Sequence, residues 1–413
     1  MERPVSLYIH IPFCHKKCDY CDFFSIACKE EIPDLYIRSL VNEALYYKRK
    51  YDIPYWDTVY IGGGTPSLLS ARQMLVLIGG VMSLADYHSP REFTIEMNPE
   101  SVTGDKISVC MDQGVTRLSL GLQSRSQKSL DTVERNCSLE NQNKAMEIIK
   151  KYWHGLLNLD VIAGLPYESK KDFLSGLEEI MNFSPDHISM YSLMIEEGTP
   201  LYAKVENNSI NVDENLSDEL WFAGRDLLYS KGFKQYEVSN FAKDNCRSLH
   251  NMAYWNQDSY IGIGCGAAGT MYDFEKKSDK NPSSSCNAVR WSDSKNIDQY
   301  ISFWSSFDTE NSLISEAALP CSVEILDKEV LEFEYLMMGL RTLDGISENT
   351  YSRRYYDTGK WKGDLYKRLY DKTSNWRKFE SLGYVNINRQ NGDTFYSLNE
   401  KGIMFLNDLL LSF

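Results

Sequence analysis

Tyr8-Ile-His-Ile-Pro-Phe-Cys-His-Lys-Lys-Cys-Asp-Tyr-Cys-Asp-Phe-Phe24 opens as a strand and ends as a loop of thiols. Residues 5–11 carry the β-branched and aromatic side chains that favour extended backbone. Cys14, Cys18 and Cys21 follow in a Cys-x3-Cys-x2-Cys spacing. Three thiolates from one short loop, with no fourth close behind, suit a four-iron cube with one iron left open. A structural zinc site closes with four ligands, and Cys28 is poorly spaced to be the fourth.

The pattern of a strand running into unusual residues repeats along the chain. Asp57–Gly64, Glu92–Pro99, Arg117–Ser124, Leu156–Pro166 and His187–Ile195 read as strands. Between them, helical spacing is expected at 32–50, 70–84, 104–113, 138–152, 170–182 and 214–231. Six βα units in series imply a parallel sheet with crossover helices. Gly62-Gly-Gly-Thr-Pro-Ser67, Glu96-Met-Asn-Pro-Glu-Ser101, Gly121-Leu-Gln-Ser124 and Gly164-Leu-Pro-Tyr-Glu-Ser169 all fall at C-terminal strand ends, as the thiol loop does. In a barrel those ends meet on one face, where barrel active sites lie. The expected fold is α/β, a partial (β/α)6 TIM-like barrel.

Beyond residue 232 the rhythm breaks. Gln235–Ala242 reads as one more strand, within a segment, 233–272, that closes the barrel. Residues 275–287 are polar and low in complexity, as in an exposed loop. A boundary near 290 is expected, dividing a core of residues 1–290 from a C-terminal module of 291–413. In that module a helix is expected over Glu324–Thr342. A helix at 376–382, a hairpin around Gln390-Asn-Gly-Asp393 and a last helix suggest a winged-helix-like shape.

Charge narrows the function classes. The net charge of -14 argues against a nucleic-acid binder, whose footprint is basic. The first residues lack the pattern of a signal peptide, and no apolar run is long enough to span a bilayer. A cytoplasmic protein is expected, with room for peripheral contact with a membrane. Its ten cysteines are then not a disulfide framework.

The order of motifs carries a resemblance. The cysteine spacing, Tyr20 and the Gly62–Ser67 loop resemble the radical S-adenosylmethionine superfamily. Tyr236-Glu-Val-Ser-Asn-Phe241 and His250-Asn-Met-Ala-Tyr-Trp255, added to the motifs above, resemble its oxygen-independent coproporphyrinogen III oxidase-like group, and within it the haem chaperone branch. The resemblance implies a [4Fe-4S] cluster on Cys14, Cys18 and Cys21, with S-adenosylmethionine chelated at the open iron. It implies that Gly63, Gly64 and Thr65 cradle the methionine end, beside Tyr20. Glu96, Gln123, Arg135 and Asp160 would hold the ribose, the carboxylate and neighbouring groups, with Tyr8 and Met194 lining the same pocket. His10 and His15 flank the thiol loop, and His10 is expected either to hydrogen-bond near the cluster or to be a satisfied inward-facing strand residue.

His250, Tyr254 and Trp255 are linked by the same resemblance with haem, since imidazole is a good axial ligand. A structural motif that closes the barrel is the competing reading. The true oxidases carry a further cysteine where this chain has Phe23. The chaperone branch usually has histidines where this chain has Cys137 and Ala268. The expected function is delivery of haem to acceptor proteins, respiratory ones among them, with an external electron donor. The alternative is radical oxidative decarboxylation of coproporphyrinogen III.

Overall fold

The computed structural model describes residues 5–85, 89–274, 287–307, 318–356 and 364–413. Its frame is a sheet whose first strands are β1 (Ser6–Ile11), β4 (Thr58–Gly63), β5 (Glu92–Met97), β6 (Arg117–Gln123), β7 (Leu156–Ala163) and β8 (His187–Ser192). The two-residue strands β2 (Phe13–Cys14) and β3 (Ile26–Ala27) pair with each other across the base of the thiol loop. The crossover helices are α1 (Asp34–Lys50), α2 (Ala71–Met82), α3 (Gly104–Asp112), α4 (Gln127–Thr132), α5 (Leu139–Tyr152), α6 (Lys170–Met181), α7 (Pro200–Glu206) and α8 (Glu214–Ser230).

Alternation along the strands explains both faces. Leu7, Ile9, Ile11, Val59, Ile61, Phe93, Ile95, Leu118, Leu120, Leu157, Leu159, Ile188 and Met190 are buried in one core with apolar side chains of the helices. Each such aliphatic side chain contributes about 1.5–3 kcal/mol by leaving water. The alternate positions carry polar side chains, and these face one another inside the sheet's curve. Asn158, for example, donates to Ser119, Asp160 and Ser189 on its own and both neighbouring strands. The helices start on side-chain caps: Ser70 forms a capping box with Gln73, and Ser138, Ser169 and Asp213 each accept from the amide three residues on.

The remaining strands are β9 (Lys234–Gln235), β10 (Asn240–Ala242), β11 (Tyr260–Ile263), β12 (Ala268–Asp273), β13 (Asn287–Asp293) and β14 (Cys321–Leu326). The sheet order is β14-β13-β12-β11-β1-β4-β5-β6-β7-β8-β10-β9, with two free edges, so the barrel does not close. The six parallel strands expected are joined by β11, which lies parallel to β1. The glycine-rich run forms this strand because Gly262 and Gly269 admit neighbours that side chains would block. A Cβ on Gly262 would lie 1.8 Å from the Ala268 carbonyl oxygen, and one on Gly269 would lie 2.2 Å from the Trp291 ring.

Three expectations are corrected. Gln235–Ala242 is not one strand but two short antiparallel ones around a turn at the buried Glu237, whose carboxylate accepts from the Ser239 amide. The boundary near 290 falls inside β13, which pairs with β12 on one side and β14 on the other. Helix α10 (Ile297–Ser305) then packs on α1, where Asn42 donates to the Trp304 carbonyl at 2.8 Å. Finally, Glu324 begins no helix. Residues 321–326 are strand because they add to β13, and α11 (Lys328–Gly339) starts on an Asp327 cap. A second apolar core gathers Leu326 with side chains from 331 to 410. It covers a small sheet of β15 (Ile346–Ser347), β16 (Val385–Gln390) and β17 (Asp393–Leu398), with β17 in the middle. The polar loop expected at 275–287 lies, up to 286, outside the described residues. Among the described residues no helix is long and apolar enough to cross a membrane.

Candidate functional site

The thiol loop hangs over the C-terminal ends of β1 and β4–β8. Its base is clamped by the Ile26 amide on the Pro12 carbonyl and the Cys28 amide on the Cys14 carbonyl, at 2.6 and 2.8 Å. Its middle is held by the Asp19 amide on the Val133 carbonyl and by the Lys204–Asp19 ion pair. Cys14, Cys18 and Cys21 all line one cavity of about 370 Å³.

The donor set fits an iron–sulfur cluster. Burial pushes the Cys14 and Cys21 thiols up, and nearby donors work against that shift at Cys14. The Thr65 hydroxyl lies 3.5 Å from the Cys14 sulfur, and Arg135 Nη1 lies 3.8 Å from the Cys18 sulfur. The Thr65 contact favours the Cys14 thiolate, the form that binds iron. Among the described residues no His, Cys, Asp or Glu group converges to hold a single metal ion. A cube takes one thiolate per iron and asks for no such convergence.

The strand ends supply the rest of the cavity. The chain turns at Gly63 with φ +111°, where a Cβ would lie 2.5 Å from the His10 ring. A Cβ on Gly64 would meet the Phe13 carbonyl at 2.8 Å and the Cys14 sulfur at 3.0 Å. The glycines therefore let this turn lie directly against the thiol loop. The Gly63 amide donates to Glu96 Oε2 at 3.1 Å, and the Tyr60 hydroxyl donates to Glu96 Oε1 at 2.7 Å. Arg135 Nη2 donates to Asn98 Oδ1 and to the Gly121 carbonyl, both at 2.8 Å, while its buried Nε has no partner. That orphaned donor is free to meet an acceptor of a ligand. Asp160 accepts from Ser119 at 3.1 Å and from Asn158 at 2.8 Å. Burial raises Asp160, and burial with the Asp160 charge pushes Glu96 up to about 7.

Most residues singled out in the sequence meet here. Tyr20, Gly63, Gly64, Thr65, Glu96, Gln123, Arg135, Asp160 and Met194 share the cavity with the three cysteines. Phe23, in the place of the oxidases' further cysteine, stands 66% exposed at the rim, and Met194 is 69% exposed. Tyr8 is a correction: it does not line the cavity, and its hydroxyl donates to His10 Nδ1 at 2.8 Å. His10 Nε2 in turn donates to the Phe24 carbonyl, so His10 steadies the thiol loop from beneath. His15 is exposed and bonds the Cys28 carbonyl. Cys137 is buried and outside the cavity, its thiol pushed up to about 12 by burial. Asn98, Ser119 and Tyr191 line the cavity without having been singled out. Asn98 was visible in the Glu96–Ser101 motif.

The structure places the three haem candidates away from this cavity. His250 lies in α9 (Leu249–Trp255), at the opposite, N-terminal ends of the strands. It is 1% exposed. Its Nδ1 bonds Thr58 Oγ1 at 2.7 Å, and Tyr254 donates to its Nε2 at 3.0 Å. Burial pushes its pKa down to about 3. Both ring nitrogens are thus hydrogen-bonded to neighbouring side chains. Trp255 lies beside Tyr254 with its ring nitrogen buried and unpaired.

Comparison with known proteins agrees with this geometry. Residues 8–180 match the family model described as Radical SAM superfamily. The heme chaperone HemW of Buchnera aphidicola subsp. Schizaphis graminum is 31% identical over 99% of this chain and 98% of its own length. The heme chaperone HemW of Escherichia coli K12 is 37% identical over 65% of this chain and 70% of its own. The solved coproporphyrinogen III oxidase (HemN) of Escherichia coli, a radical SAM enzyme, superposes with a TM-score of 0.77 at 18% identity. That match covers 100% of this chain and 90% of the other, and it shows a shared fold. The chain belongs to the radical S-adenosylmethionine superfamily, in its HemW family.

Proposed function

We propose that this protein binds haem and passes it to haem-accepting proteins, with a [4Fe-4S] cluster and S-adenosylmethionine held at the barrel mouth. The observation that carries this reading is the near full-length match to a heme chaperone, taken with three thiols that share one cavity. Cys14, Cys18 and Cys21 hold the cluster. The Gly63–Thr65 backbone faces the methionine end, and Arg135 offers its unpaired Nε to a carboxylate. Glu96 and Asp160 take the ligand's donors. When bound, the cluster supplies the low-potential electron that cleaves S-adenosylmethionine, while the protein supplies position and shelter from water. The protein works in the cytoplasm with an electron donor and a haem acceptor.

The fold shared with coproporphyrinogen III oxidase favours a second reading, turnover of that porphyrinogen. Phe23, exposed at the rim where the oxidases carry a thiol, speaks against it. The test is haem titration of the reconstituted protein beside an anaerobic coproporphyrinogen assay. A Soret shift without turnover supports the chaperone; turnover without haem binding overturns it. Cys18→Ala should lose most of about four irons and the brown colour.

A further inference from the structure

Polar side chains inside the barrel join its floor, at the N-terminal ends of the strands, to Asp160 at its mouth. The chain of hydrogen bonds begins at Ser248, which caps α9 and is fastened by its hydroxyl to Glu92 at 3.2 Å. The Ser248 amide donates to the Tyr236 hydroxyl oxygen at 3.2 Å. That hydroxyl lies 2.8 Å from His187 Nε2, and His187 Nδ1 lies 2.6 Å from Asn158 Oδ1. The register of β7 and β8 sets Asn158 directly opposite His187. Asn158 Nδ2 reaches Asp160 Oδ1 at 2.8 Å. It also donates to the Ser119 hydroxyl at 2.8 Å, which donates on to Asp160 Oδ2 at 3.1 Å. Both carboxylate oxygens are thus served from one amide.

The chain has a direction, and a backbone amide sets it. An N–H only donates, so the Tyr236 oxygen accepts from Ser248 and its one proton goes to His187 Nε2. His187 is uncharged, because burial and the nearby Arg117 charge hold its pKa well below the usual range. Its single ring proton is then on Nδ1. An Nδ1–H asks for an oxygen opposite it. This turns the Asn158 carbonyl toward His187 and its NH2 group toward Asp160. The other tautomer would reverse Asn158, set a carbonyl oxygen against the buried carboxylate and leave the Tyr236 proton without an acceptor. Both His187 and Tyr236 are buried. A misplaced donor or acceptor there carries its full desolvation cost.

We infer that His187 is a positioning residue for the S-adenosylmethionine site, holding the Asn158 amide so that both oxygens of Asp160 receive donors and the carboxylate keeps one orientation. This rests on reading the mouth as that site. Asp160 and Ser119 line the cavity, whereas His187 and Asn158 stand behind them. His187 therefore acts through Asn158 and touches no ligand itself.

The test uses the full-length protein reconstituted with its cluster. S-adenosylmethionine binding is followed by the electron paramagnetic resonance of the reduced cluster, with iron content assayed beside it. His187→Phe fills the site but gives Asn158 no donor. It should weaken S-adenosylmethionine binding about tenfold, the worth of one hydrogen bond to a charged group, with iron content unchanged. His187→Gln, whose amide can donate to Asn158 and accept from Tyr236, should stay within about threefold of the parent. His187→Phe added to Asn158→Leu should cost nothing beyond Asn158→Leu alone, because both act on one chain. Should His187→Phe fail to fold, Tyr236→Phe removes only the hydroxyl that sets the direction, and should weaken binding about threefold. Parent-like binding in His187→Phe, or in Tyr236→Phe where it takes that place, would overturn the inference. So would an equal loss in His187→Gln, or additive losses with Asn158→Leu. In each of these cases the parent still binds S-adenosylmethionine and the reading of the mouth stands. If the parent binds none, that reading falls and the inference falls with it.

Discussion

The guanidinium of Arg135 ties the thiol loop to two strand ends at once. Nη1 approaches the Cys18 sulfur at 3.8 Å, and Nη2 donates to Asn98 Oδ1 and the Gly121 carbonyl at 2.8 Å each. A lysine keeps the charge but not the fork, so it cannot span these three acceptors. Arg135→Lys should therefore leave Asn98 or Gly121 unpaired and cost about 2 kcal/mol of stability. It should also weaken S-adenosylmethionine binding more than it lowers iron content. Urea melts, iron assays and cofactor titrations on the same preparations check this. Parent-like values in all three would mean that only the charge matters.

The tight seat of the glycine turn predicts a second result. Gly63→Ala meets two obstacles, a positive φ and the His10 ring at 2.5 Å. Together they should cost about 2–4 kcal/mol. Gly114 separates the two terms, since it has φ +79° and nothing within 4 Å of a built Cβ. Gly114→Ala should lose only the backbone part, about 1–2 kcal/mol. Urea midpoints of the two variants, compared with the parent, give the clash with His10 by difference.

The residues that made the site legible are those whose type and place are fixed by local chemistry. Cysteines spaced for a cube, glycines at a strand end and Glu96 near the end of β5 all declare themselves within a few positions. The strands were legible too, because Glu92-Phe-Thr-Ile-Glu-Met97 alternates between a helix-facing and an inward-facing row. What was hidden depends on partners far along the chain. The motif around His250 does not show that Thr58, 192 residues earlier, holds its Nδ1. Residues 324–326 read as the start of a helix because they run on into the helical pattern of 328–339, and only pairing with 287–293 makes them strand. Residue 290 looked like a boundary because a polar stretch precedes it, yet the chain returns to the same sheet.

Glu96 predicts a pH dependence with a definite sign. Burial, with the Asp160 charge adding, pushes its carboxyl from the ordinary 4.5 up to about 7. Between those values the folded protein holds a proton that the unfolded chain has lost. Its contribution to stability is thus complete below about 4.5 and is lost as pH rises through about 7. Glu96→Gln removes this loss. From about pH 5 to about pH 8 the cluster-free variant should gain on the parent by up to about 2 kcal/mol. Urea midpoints at both pH values measure it. A constant gap between variant and parent would show that Glu96 is already ionised at the lower pH.

Glu92 and Arg117 form an ion pair with side chains only 4% and 2% exposed. Neither charge is solvated, so each depends on its partners. Glu92 takes three donors from residues 248–250 as well as the guanidinium, and Arg117 also donates to the carbonyls of Cys246 and Arg247. The pair therefore fastens the segment carrying His250 to the inside of the barrel. Glu92→Ala strands a buried guanidinium and three amide or hydroxyl donors together, and should cost about 3–5 kcal/mol. Arg117→Met leaves an unpaired carboxylate that the three donors still hold, and should cost less. If the two variants melt at the same urea concentration, the backbone donors contribute little and the floor is held by the charge pair alone. If Glu92→Ala is the weaker and also binds S-adenosylmethionine less tightly than Arg117→Met, the segment's seat on Glu92 is what transmits order from the floor to the mouth.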